Sequence, residues 1–231
     1  MVVALIGQGF IYDGSSLEPN LWRNPGEIEG NGVDDDGNGF IDDVIGFDFG
    51  GHDPDPSFPA AHDRTVCEIA VAPHDDRTVA GIAFEARLMI LKVTDERGDL
   101  IVPALFRALH YATQNGARVL ILSWTMHGTR CDDPSIQFLD DVFGRTARHA
   151  FIVGGHPADW PACLESVVSV QATDAHDRPK VGRHASLELS APGSDGRTVV
   201  AVSFSIGAVA GRRPSCSLKT RSGHRSRFAI D

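Results

Sequence analysis

Short continuous runs of apolar residues recur along the chain, separated by polar and glycine-rich segments. Runs of this length that are rich in Val, Ile and Leu are typical of strands whose two faces are both buried. None of the runs reaches the length needed to cross a bilayer, so the sequence predicts no membrane span. The predicted strands are Val2–Ile6, Arg87–Val93, Arg118–Trp124, His149–Val153 and Val167–Ala172.

Two segments between these runs carry apolar residues at helical spacing. The first of them ends at Asn115-Gly116, a pair that is typical of a helix C-terminus. The apolar stripes are Leu105, Ala108, Leu109 and Ala112 in Val102–Asn115, and Ile136, Leu139, Val142 and Phe143 in Ser135–Arg148.

The alternation of strands and helices predicts an α/β fold of three layers, in which a mostly parallel central sheet carries helices on both faces. In such folds the reactive residues gather at the carboxyl ends of the strands. A chain of 231 residues without an internal repeat or a low-complexity segment is expected to form one domain.

Charge is unevenly distributed, although the net charge is −10. The segment Met1–Pro56 contains twelve Asp or Glu residues and one basic residue, whereas the segment from Arg212 onward contains six Lys or Arg residues and one acid. An acidic first quarter argues against nucleic acid as the main partner and suits a bound cation. The basic end is predicted to be a solvated, disordered tail.

The acidic segment contains a calcium-loop pattern, Asp34-Asp-Asp-Gly-Asn-Gly-Phe-Ile-Asp42. Alternate residues of a tight turn bring oxygens inward toward a hard cation, and Gly39 allows the sharp turn. The twelfth position of an EF-hand loop is Ile45, so Asp43 or a residue outside the loop must supply the last ligand. An Asp/Gly-rich surface turn is the alternative. The predicted calcium ligands are Asp34, Asp36, Asn38, the Phe40 carbonyl and Asp42.

The four cysteines, Cys67, Cys131, Cys163 and Cys216, show no zinc-binding spacing. A bridge between Cys131 and Cys163 is one expectation if the protein is secreted, and buried free thiols are the other.

The segments Asn20–Ile28 and Asn31–Gly39, followed by Asp42-Asp43, closely resemble a calcium-loop segment of bacterial subtilisin-like proteases. Further motifs resemble that family in the same order, from the first strand to Leu189-Ser-Ala-Pro-Gly. The resemblance implies a subtilisin-like peptidase domain over residues 1–211, incomplete at its C-terminus, and a separate basic tail over residues 212–231. Because Pro214 would break the helix that follows the family's nucleophile, the tail is expected to be unrelated to the family, as after a truncation or frameshift.

Two of the four catalytic positions implied by the resemblance carry the family residue. His62 occupies the histidine position, but His62-Asp-Arg-Thr replaces the usual His-Gly-Thr-His. Ser203 occupies the nucleophile position, and the Val-Ala-Gly that closes the family motif is kept. The Gly-Thr and Pro-His that flank the nucleophile in the family are missing. Each residue also has an interpretation without a catalytic role. His62 can be a histidine at a helix end, and Ser203 can be a small residue retained for packing.

The other two positions differ from the family. Gly7 stands where the first strand should end in the triad aspartate, and His156 stands where the oxyanion asparagine is expected. Glycine cannot orient a histidine, and the chemistry needs a nucleophile, a base, a carboxylate and an oxyanion donor. Asp13 lies beyond the strand end. Asp63 adjoins His62, but adjacent helix residues project in different directions, so neither is expected to replace the carboxylate.

Two classes of function therefore remain. The chain is a subtilisin-like serine endopeptidase homologue that is inactive or strongly impaired, or it is a non-catalytic, calcium-binding module with the same fold. A polypeptide substrate or peptide ligand is the expected partner in both cases, and Thr125 replaces a glycine of the family's peptide-binding strand. By resemblance the protein belongs outside the cell or in the cell envelope, although the chain shows no signal peptide.

Overall fold

A computed structural model describes residues 1–75, 80–126, 129, 131–155, 159–173, 189–192, 218–219 and 225–226. Its centre is a seven-stranded sheet with the order β2-β3-β1-β4-β5-β6-β7, in which every adjacent pair is parallel. The strands are β1 (Val2–Gly7), β2 (Gly46–Asp48), β3 (Arg87–Lys92), β4 (Ala117–Leu122), β5 (Phe151–Gly154), β6 (Val167–Thr173) and β7 (Leu189–Pro192).

In the described part of the chain, three α-helices cover the sheet: α1 (His62–Val71), α2 (Val102–Gln114) and α3 (Gln137–Thr146). Short 3-10 helices span Glu18–Asn20 and Pro134–Ile136. Helix α2 starts with a proline in its first turn and stops before Gly116, whose φ of +75° is left-handed. The predicted helices over residues 102–115 and 135–148 are thus confirmed, with bounds that differ by two residues or fewer.

Strand side chains alternate between the two faces of the sheet, which gives the fold two cores. On one face, Val3 and Leu5 of β1 pack with Val66 and Ala70 of α1. On the other face, the core includes Ala4 and Ile6 of β1 together with side chains of α2 and α3. These four β1 side chains, Val3 to Ile6, are fully buried, as the continuous apolar run predicts. The predicted α/β fold of three layers is confirmed.

One buried ion pair lies near the edge of the sheet. Lys92 at the end of β3 binds the carboxylate of Asp48 at the end of β2, and both side chains are nearly inaccessible. Asp48 also accepts hydrogen bonds of 2.8 Å from the amides of Gly50 and Gly51. The pair fixes the short strand β2, which the sequence pattern does not reveal because its only large apolar residue is Phe47.

The cysteines resolve into one bridge and one buried thiol among the described residues. Cys131 and Cys163 form a disulfide with a Cα–Cα distance of 5.9 Å. Cys67 is a free thiol that is buried in the core between α1 and the sheet. Cys216 lies outside the described residues. Of the two expectations for Cys131 and Cys163, the structure has the bridge.

Four residues of the basic tail are described, and they form the antiparallel two-residue strands β8 (Leu218–Lys219) and β9 (Arg225–Ser226). The prediction of a separate, disordered tail over residues 212–231 stays a prediction. Within the described part of the chain, no helix combines the length and the apolar character that a bilayer crossing requires.

Candidate active site

The strand ends meet at the centre of the sheet's carboxyl edge. Strand β1 lies between β3 and β4, and Ile6 pairs in register with Leu122. Gly7 and Ser123, which follow these two residues, therefore lie side by side at that edge. Gly9 continues the chain with a φ of +78°, and a Cβ on it would lie 2.0 Å from the carbonyl oxygen of Pro56, so this turn requires glycine.

His62 is the first residue of α1, and its side chain is half-buried. The ring nitrogen Nε2 lies 3.4 Å from the carbonyl oxygen of Ser123. This geometry suits an Nε2–H donor, because a carbonyl oxygen can only accept a hydrogen bond. The structure therefore brings His62 to the strand ends, where the resemblance requires it.

Asp63 points into the sheet edge, and only 3% of the residue is exposed. One carboxylate oxygen accepts a 2.7 Å hydrogen bond from the amide of Gln8, and the other accepts one from the hydroxyl of Ser123. A Cβ built on Gly7 would lie 2.3 Å from Asp63 Oδ2. The carboxylate of Asp63 thus fills the space beside Gly7.

The expectation that Asp63 does not replace the triad carboxylate stays a prediction. His62 and Asp63 do project in different directions, as adjacent helix residues must, and the structure shows no direct hydrogen bond between the two described side chains. The sequence alone did not show that the Asp63 side chain points toward the end of β1. The signal in the sequence was the pair of departures itself, a missing carboxylate at Gly7 and a new one at position 63.

The electrostatics of Asp63 follow from its burial. Loss of water raises the pKa of Asp63 above its ordinary value, while the hydroxyl of Ser123, the nearby charge of His62 and the amides of Gln8 and Gly9 oppose that rise. Helix α1 also begins one residue earlier, and the positive end of its dipole favours a carboxylate. Below the site, burial raises the pKa of the Cys67 thiol well above its usual value, and the charge of Asp63 contributes.

Trp124 anchors the segment that follows β4. Its indole N–H donates a 2.8 Å hydrogen bond to the carbonyl oxygen of Ile6, and its ring contacts Trp160 at 5.6 Å between centroids. Thr125 follows and is half-buried. Ser203 and His156 lie outside the described residues, so their distances from His62 are not described either.

The acidic loop is held by hydrogen bonds between its own side chains and amides. Asp34 accepts from the amides of Asn38 and Gly39 at 3.1 and 2.8 Å, and Asp42 accepts from two amides that precede the loop. Gly39 has a φ of +95°, in agreement with the predicted sharp turn. The ring of Phe40 packs against Phe47 and Tyr111. The carboxylates of Asp34 and Asp42 therefore stabilise turns.

A different set of carboxylates converges beside this loop. Ligand oxygens of Glu27, Asp36 and Asp43 all lie within 4.8 Å of one another, and Asp43 is completely buried. The amide side chain of Asn38 contacts both Asp36 and Asp43, at 3.0 and 2.8 Å. Tyr111 donates a 2.5 Å hydrogen bond to Asp43 from the core side.

Burial raises the pKa of Asp43, and the charge of Asp36 adds to that effect, whereas hydrogen bonds from Tyr111, Asn38 and Asn24 oppose it. Three carboxylates so close together repel one another unless a cation or protons neutralise them. Carboxylate oxygens are hard donors of the kind that Ca²⁺ prefers. Asp43 was the replacement ligand named from the sequence, while Glu27 lies outside the loop pattern and no spacing rule pointed to it.

Comparison with known proteins agrees with this architecture. The sequence model of the Subtilase family matches residues 1–226. Thermitase of Thermoactinomyces vulgaris is 27% identical over 157 residues, which is 65% of this chain and 56% of that protein. The thermophilic serine proteinase of Bacillus sp. strain AK1 is 29% identical over 138 residues, 58% of this chain and 34% of its own length.

Subtilisin-like protease 1 of Plasmodium falciparum is 28% identical over 120 residues, which is 51% of this chain and 17% of that protein. The matched parts of these three relatives thus range from about a sixth to just over half of their lengths.

Solved structures show the same fold at low sequence identity. Fervidolysin from Fervidobacterium pennivorans superimposes with a TM-score of 0.68 at 16% identity, covering 91% of this chain and 35% of that one. A cold-adapted subtilisin-like serine proteinase superimposes with a TM-score of 0.62 at 17% identity, covering 91% and 72%. With the family match extending over nearly the whole sequence, the chain belongs to the Subtilase family and has the fold of its serine endopeptidases.

Proposed function

We propose that this chain is a subtilisin-like serine endopeptidase homologue in which peptide hydrolysis is absent or strongly impaired. The observation that carries the proposal is the hydrogen bonding around His62. Gly7 offers no carboxylate, Asp63 bonds to Ser123 and Gln8, and Nε2 of His62 faces the Ser123 carbonyl. In Ser-His chemistry Nε2 must accept the proton of the nucleophile, while a carboxylate holds the other ring nitrogen. In the tautomer whose Nε2–H donates to the Ser123 carbonyl, Nε2 has no lone pair with which to accept that proton.

The expected loss is large. In subtilisin, removing the triad aspartate lowers kcat by about 3 × 10⁴-fold. Removing the oxyanion asparagine costs about 10²–10³-fold, and His156 replaces that residue here. A neutral histidine retains one N–H donor, which lessens the second loss but not the first. The two penalties are not independent, since groups that act as a unit are non-additive.

The test compares the wild type with Ser203→Ala on a generic peptide anilide, together with labelling by a fluorophosphonate. We expect no Ser203-dependent turnover and no labelling above the Ser203→Ala control. The double variant Gly7→Asp/His156→Asn is also expected to stay inactive, because Asp63 already occupies the space that a carboxylate at position 7 needs. Turnover in the wild type that disappears on changing Ser203 would contradict the proposal.

The second candidate function is a calcium-binding, non-catalytic module, and it is compatible with the first. It is favoured by the convergence of Glu27, Asp36 and Asp43 on one point beside the loop. We propose that these three carboxylates, two of which accept hydrogen bonds from the Asn38 side-chain amide, hold a structural Ca²⁺. The bound ion would neutralise the cluster and fix the acidic segment against the core at Tyr111. This ligand set shares Asp36 with the set that the loop pattern predicts.

Calorimetric titration with Ca²⁺ tests the cluster as the site, and Asp43→Asn separates the two ligand sets because Asp36 belongs to both. Asp36→Asn and Asp43→Asn are expected to weaken binding by at least about tenfold, because each removes an anionic oxygen that would bind the ion. Glu29→Gln is the matched control, since Glu29 is an exposed acid of the same segment, outside the cluster, that pairs with Arg23. Equal affinity in the wild type, Asp36→Asn and Asp43→Asn would exclude the cluster as the site.

We also propose that the protein works in an oxidising compartment, outside the cell or in the cell envelope. The support is the Cys131–Cys163 bridge, since disulfides persist mainly in such environments. A peptide ligand at the carboxyl edge of the sheet remains the proposed partner. Thiol alkylation of protein taken directly from its source, followed by mass measurement, tests whether the bridge is present there.

A further inference from the structure

The two departures from the family pattern at Gly7 and Asp63 are spatially linked. Position 7 has lost the aspartate that the family carries at the end of the first strand, and position 63 has gained an aspartate where the family carries glycine. In the fold, the end of β1 and the first turn of α1 face each other, so both positions border the same small space. The chain has exchanged glycine and aspartate between these two elements.

The two carboxylates exclude each other. A Cβ on Gly7 would lie 2.3 Å from Asp63 Oδ2, 3.1 Å from its Cγ and 3.4 Å from its Oδ1. No side chain at position 7 fits while Asp63 keeps its place, because packed atoms do not approach to 2.3 Å. The site therefore holds one buried carboxylate, supplied by the helix.

Ser123 connects this carboxylate to His62. Its hydroxyl donates to Asp63 Oδ1, while its carbonyl oxygen lies 3.4 Å from His62 Nε2. A second anchor, the amide of Gln8, holds the other oxygen of Asp63 at 2.7 Å. Since Asp63 and His62 are also consecutive residues of one helix, the position of Asp63 fixes both the start of α1 and the acceptor that the ring faces.

We propose that Asp63 is the positioning residue of this site, which replaces the missing strand carboxylate from the helix and holds the His62 ring through Ser123. The inference concerns the same site as the proposed function, and its experiment measures folding and ring geometry, so it succeeds or fails independently of peptide hydrolysis. It also specifies that Gly7→Asp can restore a strand carboxylate only if Asp63 is removed at the same time.

The first measurement is a double-mutant cycle in thermal stability. Gly7→Asp alone is expected to lower Tm strongly, because the new side chain collides with Asp63 and places two carboxylates in one buried space. Asp63→Gly alone is expected to lower Tm by leaving the Gln8 amide and the Ser123 hydroxyl without their acceptor. Gly7→Asp/Asp63→Gly should have a higher Tm than the Gly7→Asp single variant. If the Tm of the double variant falls by the sum of the two single decreases, or if the double variant does not fold, the proposed exchange of the carboxylate between positions 7 and 63 is wrong.

The second measurement reads the His62 ring by ¹⁵N–¹H correlation of the histidine side chains, with the signal assigned by its loss in His62→Gln. Asp63→Asn is expected to shift the ring-nitrogen signals of His62. Gly7→Asp/Asp63→Gly should return them toward the wild-type positions, and the matched amide variant Gly7→Asn/Asp63→Gly should not. Unchanged His62 signals in folded Asp63→Asn would show that Asp63 is only structural. If Asp63→Asn does not fold, the two double variants are compared instead. Equal His62 signals in Gly7→Asp/Asp63→Gly and Gly7→Asn/Asp63→Gly would also show that the carboxylate is only structural.

Discussion

At the scale of single residues, the properties of Asp63 come from where its carboxylate lies. It is enclosed by the end of β1 and the segment after β4, where two amides and a hydroxyl point toward it. These donors make an ionised carboxylate tolerable at a buried position, although burial still raises the pKa of Asp63. Asp43 repeats this arrangement in the acidic loop, with Tyr111, Asn38 and Asn24 as donors.

The raised pKa of Asp63 predicts a pH-dependent difference between the wild type and Asp63→Asn. Because the folded pKa lies above the unfolded value of about 3.9, the folded state binds the proton more tightly. The resulting stabilisation is complete below the unfolded pKa and is lost as the pH rises through the folded pKa. Asparagine does not titrate, so the Tm of Asp63→Asn should rise relative to the wild type as pH increases.

Thermal unfolding of both proteins at several pH values between about pH 3 and about pH 8 measures this difference. Titrating groups remote from Asp63 contribute equally to the two proteins, so the difference reports Asp63 together with the groups whose charge acts on it, His62 above all. A difference in Tm that stays constant, or that falls as the pH rises, would contradict the raised pKa.

At the scale of elements, the site depends on how closely strands and helices approach. Strand β2 packs so tightly on β3 that a Cβ on Gly46 would lie 1.9 Å from the carbonyl oxygen of Ile90, and the φ of Gly46 is +131°. Helix α3, in contrast, contains Gly144 with nothing within 4 Å of an added Cβ. The same amino acid is therefore required in one element and dispensable in the other.

Replacing each of these glycines with alanine should have opposite effects. Gly46→Ala is expected to destabilise the protein by more than about 2 kcal/mol, because both the backbone conformation and the contact with β3 must change. Gly144→Ala should stabilise it by about 0.5–1 kcal/mol, because alanine lowers the entropy lost on forming a helix. Chemical denaturation of the two variants and the wild type measures both effects. Equal effects of the two substitutions would contradict the close approach at β2.

At the scale of the whole molecule, the disulfide ties together two segments that the sheet alone leaves separate. Cys131 precedes α3, and Cys163 lies in the connection between β5 and β6. The bridge closes a sequence separation of 32 residues that contains α3 and β5. Together with the two cores on opposite faces of the sheet, it fixes the half of the sheet that lies beyond β4.

Removing the bridge in Cys131→Ser/Cys163→Ser is expected to destabilise the protein by about 2–4 kcal/mol, because the unfolded chain regains the freedom of a closed loop of this size. Denaturant unfolding with and without a reductant checks the effect. The wild type should lose stability in reductant, while the double variant should not respond. A reductant response of the same size in both proteins would assign the loss to something other than this bridge.

Local patterns gave most of the fold, and the reason is physical. Apolar runs and helical stripes are set by which faces of an element are buried, so five strands and two helices of the structure follow from the sequence with small errors at their ends. The patterns missed β2 and β7, because Gly-Phe-Asp and Leu-Ser-Ala-Pro each contain only one large apolar residue and so form no apolar run. The likeness of the motifs to subtilisin-like proteases was likewise visible in the sequence and agrees with the family match.

Side-chain positions across elements were decided by the tertiary structure. Asp63 and Gln8 are 55 residues apart, and Glu27 lies outside the loop pattern that includes Asp36, so no local period relates them. Which carboxylate fills the space beside Gly7, and which three acids converge, depends on the register of β1 against its neighbours and on the packing of α1 and the acidic loop. The sequence by itself determined five of the strands, two of the helices and the family to which the chain belongs. Only the folded chain decided which of its many acidic residues lie at the site, because close packing of elements distant in sequence sets those distances.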